Sequence, residues 1–497
     1  MSHYLLSKSS YIKGLQCPKA LFFYKHYPQY RDPVSPSQQA LFNRGHEVGF
    51  LARQLFPGGK DATEKIGAKS KKTIERTAQL MADGEKVIYE AAFVADQVLV
   101  LVDILVRDGD PSTSSGWRAF EVKSSLRLSH AYFRDAELQY YVLKNAGLNL
   151  VDFCLVHVNG DYVLEGELDI KKLFRIVSVM RSAEENFERI GEKIAGHKAV
   201  LKMKQVPEVS IGEQCFSPYE CDYRGQCWKN VPAENVFELS GISRAEQAKY
   251  YSAGYIFPEQ IPDTEPLPLL ARLQAHVRVT KETIVVKERI REWLLPLGKE
   301  IIFLDIESYQ PAIPKYHGTW PFQALPFAYS IHKRNANGEI SYHSFLAEPG
   351  SDPRAEFLER FLEETKGEEP ILAYDMTAEK TVLNLLRKRF PEKSAEIDQR
   401  LKRIRDLKQP FAEGWYYHPE MKGSVSLKYV LPSLVPDQNY SNIAIQNGNH
   451  AMAVYAKLEN SGDLFEIAEG KTALEEYIRL DTFGMVKIFE VLENSIS

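Results

Sequence analysis

The sequence predicts an α/β protein in which two mixed-sheet domains are joined by a helical segment, and three observations carry that expectation. Residues 86–123 hold two β-branched runs and a third strand-like stretch, "WRAFEVKSS", with amphipathic helix patterns on either side. From 299 onward short apolar strands alternate with helix-period stretches, the signature of a sheet with helices packed on it. Between them lies a helix-patterned region punctuated by Pro262, Pro266 and Pro268, which reads as a linker with a bend. The expected domains are therefore 1–235, 236–298 and 299–497.

Length and composition fit this division. The chain has 497 residues, 44% hydrophobic and 26% charged, enough for two or three ordinary cores. No stretch approaches the roughly 20 uninterrupted apolar residues of a membrane helix, and "MSHYLLSKSSYIKG" lacks the apolar region of a signal peptide. A cytoplasmic protein with no membrane partner is expected. The formal net charge of −5 means that a nucleic-acid partner must be held by local basic patches.

In chain order, "SKSSYIKGLQCPKALFFYKHYPQ" reads as one capped helix carrying Cys17. "SQQALFNRGHEVGFLARQLFPGG" reads as a second, with Ala40, Leu41, Val48, Leu51 and Leu55 as its buried face and His46 and Glu47 riding on it. The segment 86–106 is expected to be a hairpin broken at Ala95-Asp96-Gln97, its second strand carrying Asp103. The turn-rich "RDGDPSTSSG" follows, and then Glu121 and Lys123, two apart and so on one face of a strand. Two carboxylates and an ammonium converging there suit one or two divalent cations, with the lysine orienting or activating a water that attacks a phosphodiester. "DAELQYYVLKNAG" is a helix presenting Gln139. Two strands are expected in 148–165, then one long amphipathic helix from Asp169 to Ala195.

The cysteines form a second pattern. Cys215, Cys221 and Cys227 lie at C-x5-C-x5-C spacing in a loop containing Pro and Gly, a set that suits zinc or an iron–sulfur cluster and needs a fourth ligand. Cys154 sits in the apolar run "LVDFCLVHV", where a small buried thiol is expected, so Cys17 is the better candidate. Four unrelated free cysteines are the plain alternative. A metal on Cys17, Cys215, Cys221 and Cys227 would tie the start of the first domain to its end.

In the linker, 236–298, two short helices around Gly254 are similar in outline to a helix-hairpin-helix module, with a plain helical linker as the other reading. In the second half "KEIIFLDIESY" is a strand ending in Asp305-x-Glu307, and "LPFAYSIHKR" and "ISYHSFLAEP" continue it as an antiparallel meander. A helix, the strand "EPILAYD" and another helix, "TAEKTVLNLLRKRF", follow. In the C-terminal helix Tyr477 and Asp481 are i and i+4, on one face. The basic run Arg387, Lys388, Arg389, Lys393, Arg400, Lys402, Arg403, Arg405 and Lys408 is either a solvated face or a phosphate grip. Trp415, Tyr416 and Tyr417 are candidates to stack on unpaired bases, with core packing as the alternative.

Asp103, Glu121-x-Lys123 and Gln139, with Glu47 or His46 on the preceding helix, resemble the PD-(D/E)XK nuclease core of the RecB type. The four cysteines resemble the iron–sulfur variant found in CRISPR-adaptation nucleases and in the AddB subunit. That resemblance implies a restriction-endonuclease-like fold over about 1–230 and a structural 4Fe-4S cluster. The even cysteine spacing departs from the tighter first pair of those relatives. Asp305, Glu307, Tyr477 and Asp481 resemble the DnaQ-like exonucleases of the tyrosine-containing DEDDy type, on an RNase H-like fold. By register Glu379 then supplies the third acid, and Asp375 stands where that pattern has asparagine. This resemblance implies Mg2+ or Mn2+ on Asp305, Glu307, Glu379 and Asp481, with hydrolysis from 3′ ends. The combination resembles a bacterial family of fused nucleases, which implies DNA as substrate, single-stranded ends included. RNA, or a binding scaffold with one working site, are the other readings.

Overall fold

The computed structural model describes residues 5–64, 66–67, 70–109 and 116–497, so most of the turn-rich loop after Arg107 lies outside the described residues. The chain is mixed α/β and divides into two compact units, 1–230 with 312–322, and 231–311 with 323–497.

The first unit is built on a seven-stranded sheet. Its strands are β1 (Leu6–Ser7), β2 (Lys60–Asp61), β3 (Val87–Ala95), β4 (Val98–Asp108), β5 (Gly116–Lys123), β6 (Leu150–Val158) and β7 (Phe174–Ser178). They run in the order β2-β3-β4-β5-β6-β7, with β1 parallel to the start of β4. The β3–β4 hairpin turns at Asp96 and Gln97, both at positive φ, which matches the right-handed twist of the strands it joins. Period-two alternation fills both faces: Leu105, Ala119, Phe153 and Leu155 enter one core, while Ile104, Phe120, Cys154 and Val156 enter the other. The covering helices are α1 (Lys8–Gln16), α2 (Pro18–His26), α3 (Pro36–Ala52), α4 (Lys71–Ala82), α5 (His130–Asn145), α6 (Ile170–Leu173), α7 (Met180–Glu185), α8 (Phe187–Lys202) and α9 (Arg224–Trp228). Helix α5 is the crossover between the parallel strands β5 and β6.

Local chemistry corrects three expectations here. The first helix is two, because Pro18 cannot continue α1 and holds Cys17 extended at φ −160°, ψ 122°. The expected second strand of 148–165 and the long helix after it do not form; instead "FRIVS" pairs with β6 as the edge strand β7, its Ile176 and Val177 favouring a pleated edge. On α3 only Val48 and Ala52 are buried, while Leu41 is 51% exposed, so the anticipated apolar face is narrower than the pattern.

Residues 312–322 belong to the first unit although they connect two strands of the second. Ala312, Ile313 and Phe322 pack with Val48, Ala52 and Tyr162. Leu164 N–H donates to the Thr319 carbonyl at 2.9 Å, Gly318 N–H returns to the Leu164 carbonyl at 2.8 Å, and the Arg44 guanidinium lies over the Phe322 ring.

The second unit begins with α10 (Arg244–Ser252) and α11 (Leu269–Thr280), separated by residues 253–268, then β8 (Ile284–Val285) and α12 (Lys287–Leu294). Its five-stranded sheet contains β9 (Ile301–Tyr309), β10 (Leu325–Arg334), β11 (Ile340–Leu346), β12 (Ile371–Ala373) and β13 (Ile404–Asp406), in the order β11-β10-β9-β12-β13. The first three strands are antiparallel and the last two run parallel to β9, so β9 is central and flanked on both sides. Helices α13 (Arg354–Glu364), α14 (Thr377–Arg389), α15 (Ser394–Arg403) and α16 (Gln409–Ala412) follow the strands, and β14 (Tyr416–Tyr417) pairs with β8. Helices α17 (Leu427–Leu434), α18 (Gly448–Leu458) and α19 (Leu464–Ser495) close the unit. The buried stripe of α19 includes Leu474, Tyr477, Ile478, Asp481, Met485, Phe489 and Leu492, so an acid and a tyrosine ride within its apolar seam. Among the described residues no helix is long and apolar enough to cross a membrane.

Candidate functional sites

In the second unit, β9 delivers Asp305 and Glu307 on the same face, alternating with the buried Leu304 and Ile306. Helix α19 delivers Asp481, and one carboxylate oxygen from each of the three lies within 4.8 Å of the others. Glu379, in the first turn of α14, is buried, and burial together with the Asp305 charge pushes its carboxyl well above the usual range. Asp375 behaves differently: it is exposed, sits at φ +62°, and pairs with Lys408 at 2.8 Å, which lowers its pKa. Asp305 Oδ2 and Glu379 Oε2 are buried and have no hydrogen-bond partner among the described residues. Burial first, then Asp481 and Glu307, push Asp305 well up, and burial with Asp481 raises Glu307 to about 7. Clustered carboxylates that repel one another, with donor-free buried oxygens on Asp305 and Glu379 among the described residues, fit a set of divalent-cation ligands, the hard-oxygen chemistry that Mg2+ and Mn2+ take.

Three residues that the sequence reading did not single out complete this site. Lys428 on α17 donates to Asp481 Oδ1 at 2.6 Å and to the Tyr477 hydroxyl at 3.1 Å, its ammonium lying over the Tyr440 and Tyr477 rings. The Tyr440 hydroxyl also donates to Asp481 Oδ1. Gly484 allows this approach, since a Cβ there would stand 2.5 Å from a Leu431 methyl on α17. Asp406, at the end of β13, accepts from the Asp375 and Lys408 backbone N–H groups and adds negative charge near Glu379. Burial and the Asp481 charge drive the Tyr477 phenol far up, so it stays a neutral donor.

The basic run divides between cations engaged within the fold and cations left exposed. Arg400 is buried and donates to the Leu362 and Glu396 carbonyls, Arg403 to those of Thr365 and Glu369, and Arg405 to those of Lys402 and Ile404. Arg387 pairs with Asp398 and Lys393 with Glu396. Lys388, Arg389 and Lys402 are exposed. Tyr416 and Tyr417 are core residues, Tyr417 accepting from Gly423 N–H at 3.0 Å, and Arg289 covers the Trp415 ring.

In the first unit Glu121, Lys123, Gln139 and Asp103 do meet. Glu121 Oε1 accepts from Lys123 and Lys8, each at 2.7 Å, and Oε2 accepts from Gln139 Nε2 at 2.7 Å. Asp103 Oδ2 accepts from Val122 N–H at 2.7 Å. Lys123 also bonds Asp135 on α5, and Lys8 approaches it at 3.6 Å. Burial raises the Glu121 carboxyl, but the two ammonium charges outweigh it and hold the group well below its ordinary value. Asp103 goes the other way, raised by burial and by Glu121. Burial opposes the charge on Lys123, yet Glu121 and Asp135 keep its pKa above normal. Lys8, Asp135 and Glu90 carry no local signal. Glu90 stands at φ +53° on β3, pairs with Arg53 at 3.1 Å, and its charge reaches Asp103. Glu47 and His46 are exposed on α3, and no hydrogen bond joins either to this group among the described residues.

Cys17, Cys215, Cys221 and Cys227 line one cavity, whereas the Cys154 thiol lies in β6 and donates to Asp152 at 3.3 Å. Burial raises the Cys17, Cys221 and Cys227 thiols, Cys221 to about 11, and neighbouring cysteine sulfurs add to the rise in each of these three. No three of their sulfurs lie within 4.8 Å of each other among the described residues. Among the described residues the cysteines share a cavity without a cluster-like arrangement.

The family described as "Domain of unknown function (DUF2779)" matches residues 302–426. The match takes in β9 with Asp305 and Glu307, and α14 with Glu379, and ends before Tyr477 and Asp481. No curated protein matches the chain.

Proposed function

We propose that the chain is a divalent-metal-dependent nuclease with two hydrolytic sites, a RecB-like site of the PD-(D/E)XK type in the first unit and a DnaQ-like 3′-5′ exonuclease site in the second. DNA is the proposed substrate. The observation that carries the reading is the convergence of Asp305, Glu307 and Asp481 within 4.8 Å beside the buried, donor-free oxygen of Glu379. Its setting supports it too: a central strand flanked by an antiparallel pair and a parallel pair is the strand arrangement expected of an RNase H-like domain.

Asp305, Glu307, Glu379 and Asp481 would hold Mg2+ or Mn2+, which when bound supplies charge neutralisation for the attacking and leaving oxygens. Tyr477, kept neutral, donates a hydrogen bond and orients a water at the site. Lys428 and Tyr440 fix the Asp481 carboxylate through Oδ1, leaving its other oxygen free of those bonds. In the first unit Lys123 is held between Glu121 and Asp135, where its charge faces an incoming phosphate. A scaffold with one working site is favoured by one observation, that Lys8, Lys123 and Gln139 already occupy both Glu121 oxygens.

The test is metal-dependent digestion of end-labelled single- and double-stranded DNA and RNA. Glu121→Ala or Lys123→Ala should remove one activity, and Asp305→Ala or Glu307→Ala the other. If either class of variant abolished all hydrolysis in folded protein, the two-site reading would be wrong; faster digestion of RNA would overturn the DNA assignment.

A further inference from the structure

A cavity of about 360 Å³ opens between α5, α7 and α8 in the first unit. Arg134 from α5 and Arg189 and Lys193 from α8 line it, with Glu137 as its one carboxylate, an excess of two positive charges. Among the described residues none of the three cations forms an ion pair or a hydrogen bond. Glu137 is buried and accepts from Ser182 Oγ and Asn186 Nδ2, each at 3.0 Å, and its charge partly offsets the others at Lys193. The cations also feel one another, since burial and then the Arg134 and Arg189 charges lower the Lys193 pKa. Three like charges gathered around a cavity with a single carboxylate among them leave an excess whose repulsion a bound anion relieves.

The lining narrows the anion's chemistry. Two guanidinium forks and an ammonium match the oxygens of a phosphate group. Phe133 and Ile190 add apolar surface on which a sugar or base can lie. The volume is at the small end for ligand sites, room for about one nucleotide unit. Arg134 immediately precedes Asp135, which bonds Lys123, so the cavity and the carboxylate group share α5.

We infer that this cavity binds a phosphate of a single-stranded nucleic acid and anchors the strand beside the Glu121–Lys123 group. The inference rests on reading the first unit as a nuclease.

Full-length protein in EDTA, with a short DNA strand labelled at its 3′ end and carrying either a 5′-phosphate or a 5′-hydroxyl, gives the test by fluorescence anisotropy. Arg134→Gln combined with Arg189→Gln should weaken binding at least about tenfold and reduce the slope of log affinity against log salt by about two. Hydrogen exchange should show strand-dependent protection of α5 and α8 that this double variant loses and the Arg134→Lys, Arg189→Lys pair retains. An equal loss for both strands assigns the cavity to an internal phosphodiester; a loss confined to the 5′-phosphate strand assigns it to a terminal phosphomonoester. A folded double variant with unchanged affinity, salt slope and protection overturns the inference. Because binding is read without metal, wild-type protein that binds in this way but cleaves nothing would count against the nuclease reading alone.

Discussion

Asp375 and Glu379 are both acidic and four positions apart, yet their surroundings assign them different work. Asp375 is exposed and neutralised by Lys408, so its charge needs no cation. Glu379 is buried against Asp305 with an oxygen that nothing donates to. Glu379→Gln should therefore lower exonuclease turnover by about 100-fold, as expected when a charge-stabilising group is lost, while Asp375→Asn stays near normal. Both are to be assayed on a single-stranded 3′ end with Lys123→Ala silencing the first unit. Normal turnover in Glu379→Gln with loss in Asp375→Asn would make the strand-end acid the ligand. Proximity in sequence made the pair visible; only burial separates them.

At the scale of elements, β10 and α19 meet through a polar seam, in which Ser330 Oγ donates to the Ile478 carbonyl at 2.6 Å and His332 Nδ1 lies 2.8 Å from Thr482 Oγ1. Burial, with the Arg479 and His343 charges behind it, pushes His332 down to about 4. An unfolded chain titrates its histidine near 6.5. The folded state thus prefers neutral His332, and the stability tied to that preference is complete above about pH 6.5 and lost as pH falls through 4, at most about 3 kcal/mol. Urea midpoints at about pH 7 and pH 4.5 should differ less in His332→Phe than in the native protein; an unchanged gap would show that acid sensitivity lies elsewhere. Elements like these were legible where chemistry is local. The alternation in "IIFLDIES" put Asp305 and Glu307 on one face, and i, i+4 spacing joined Tyr477 to Asp481. Lys8, Glu90, Lys428 and Tyr440 were not legible, because each reaches its site through tertiary contacts that no spacing encodes. The carbonyl bonds of Arg400 and Arg403 were not legible for a related reason: charge density along the chain is the same whether a guanidinium meets water, a phosphate or a buried carbonyl. "FRIVS" was hidden by flanking charges at helical spacing, although its β-branched pair carried the strand signal.

For the molecule as a whole, the cavity lined by Cys17, Cys215, Cys221 and Cys227 brings the break between α1 and α2 beside a loop near residue 227, so a metal bound there would close most of the first unit into one ring. Protein purified without oxygen should be brown and contain iron and acid-labile sulfide. Cys17→Ser should lose that iron and lower the first unit's thermal midpoint, whereas Cys154→Ser should leave metal content unchanged. Stoichiometric zinc without sulfide would replace the cluster with a simple ion. The ring does not complete the unit, however. Ala312, Ile313 and Phe322 fill part of its core, and the Leu164 backbone finds its partners at Gly318 and Thr319. On a ribosome this sets a timetable: when residue 230 emerges, the first unit still has an apolar gap and an unsatisfied backbone pair, and it must wait for about 90 more residues of nascent chain before its last piece arrives. A gene cut anywhere between those points yields one fragment missing a plug and another carrying an orphaned apolar loop, so the first unit is expected to express well only when the chain runs past residue 322.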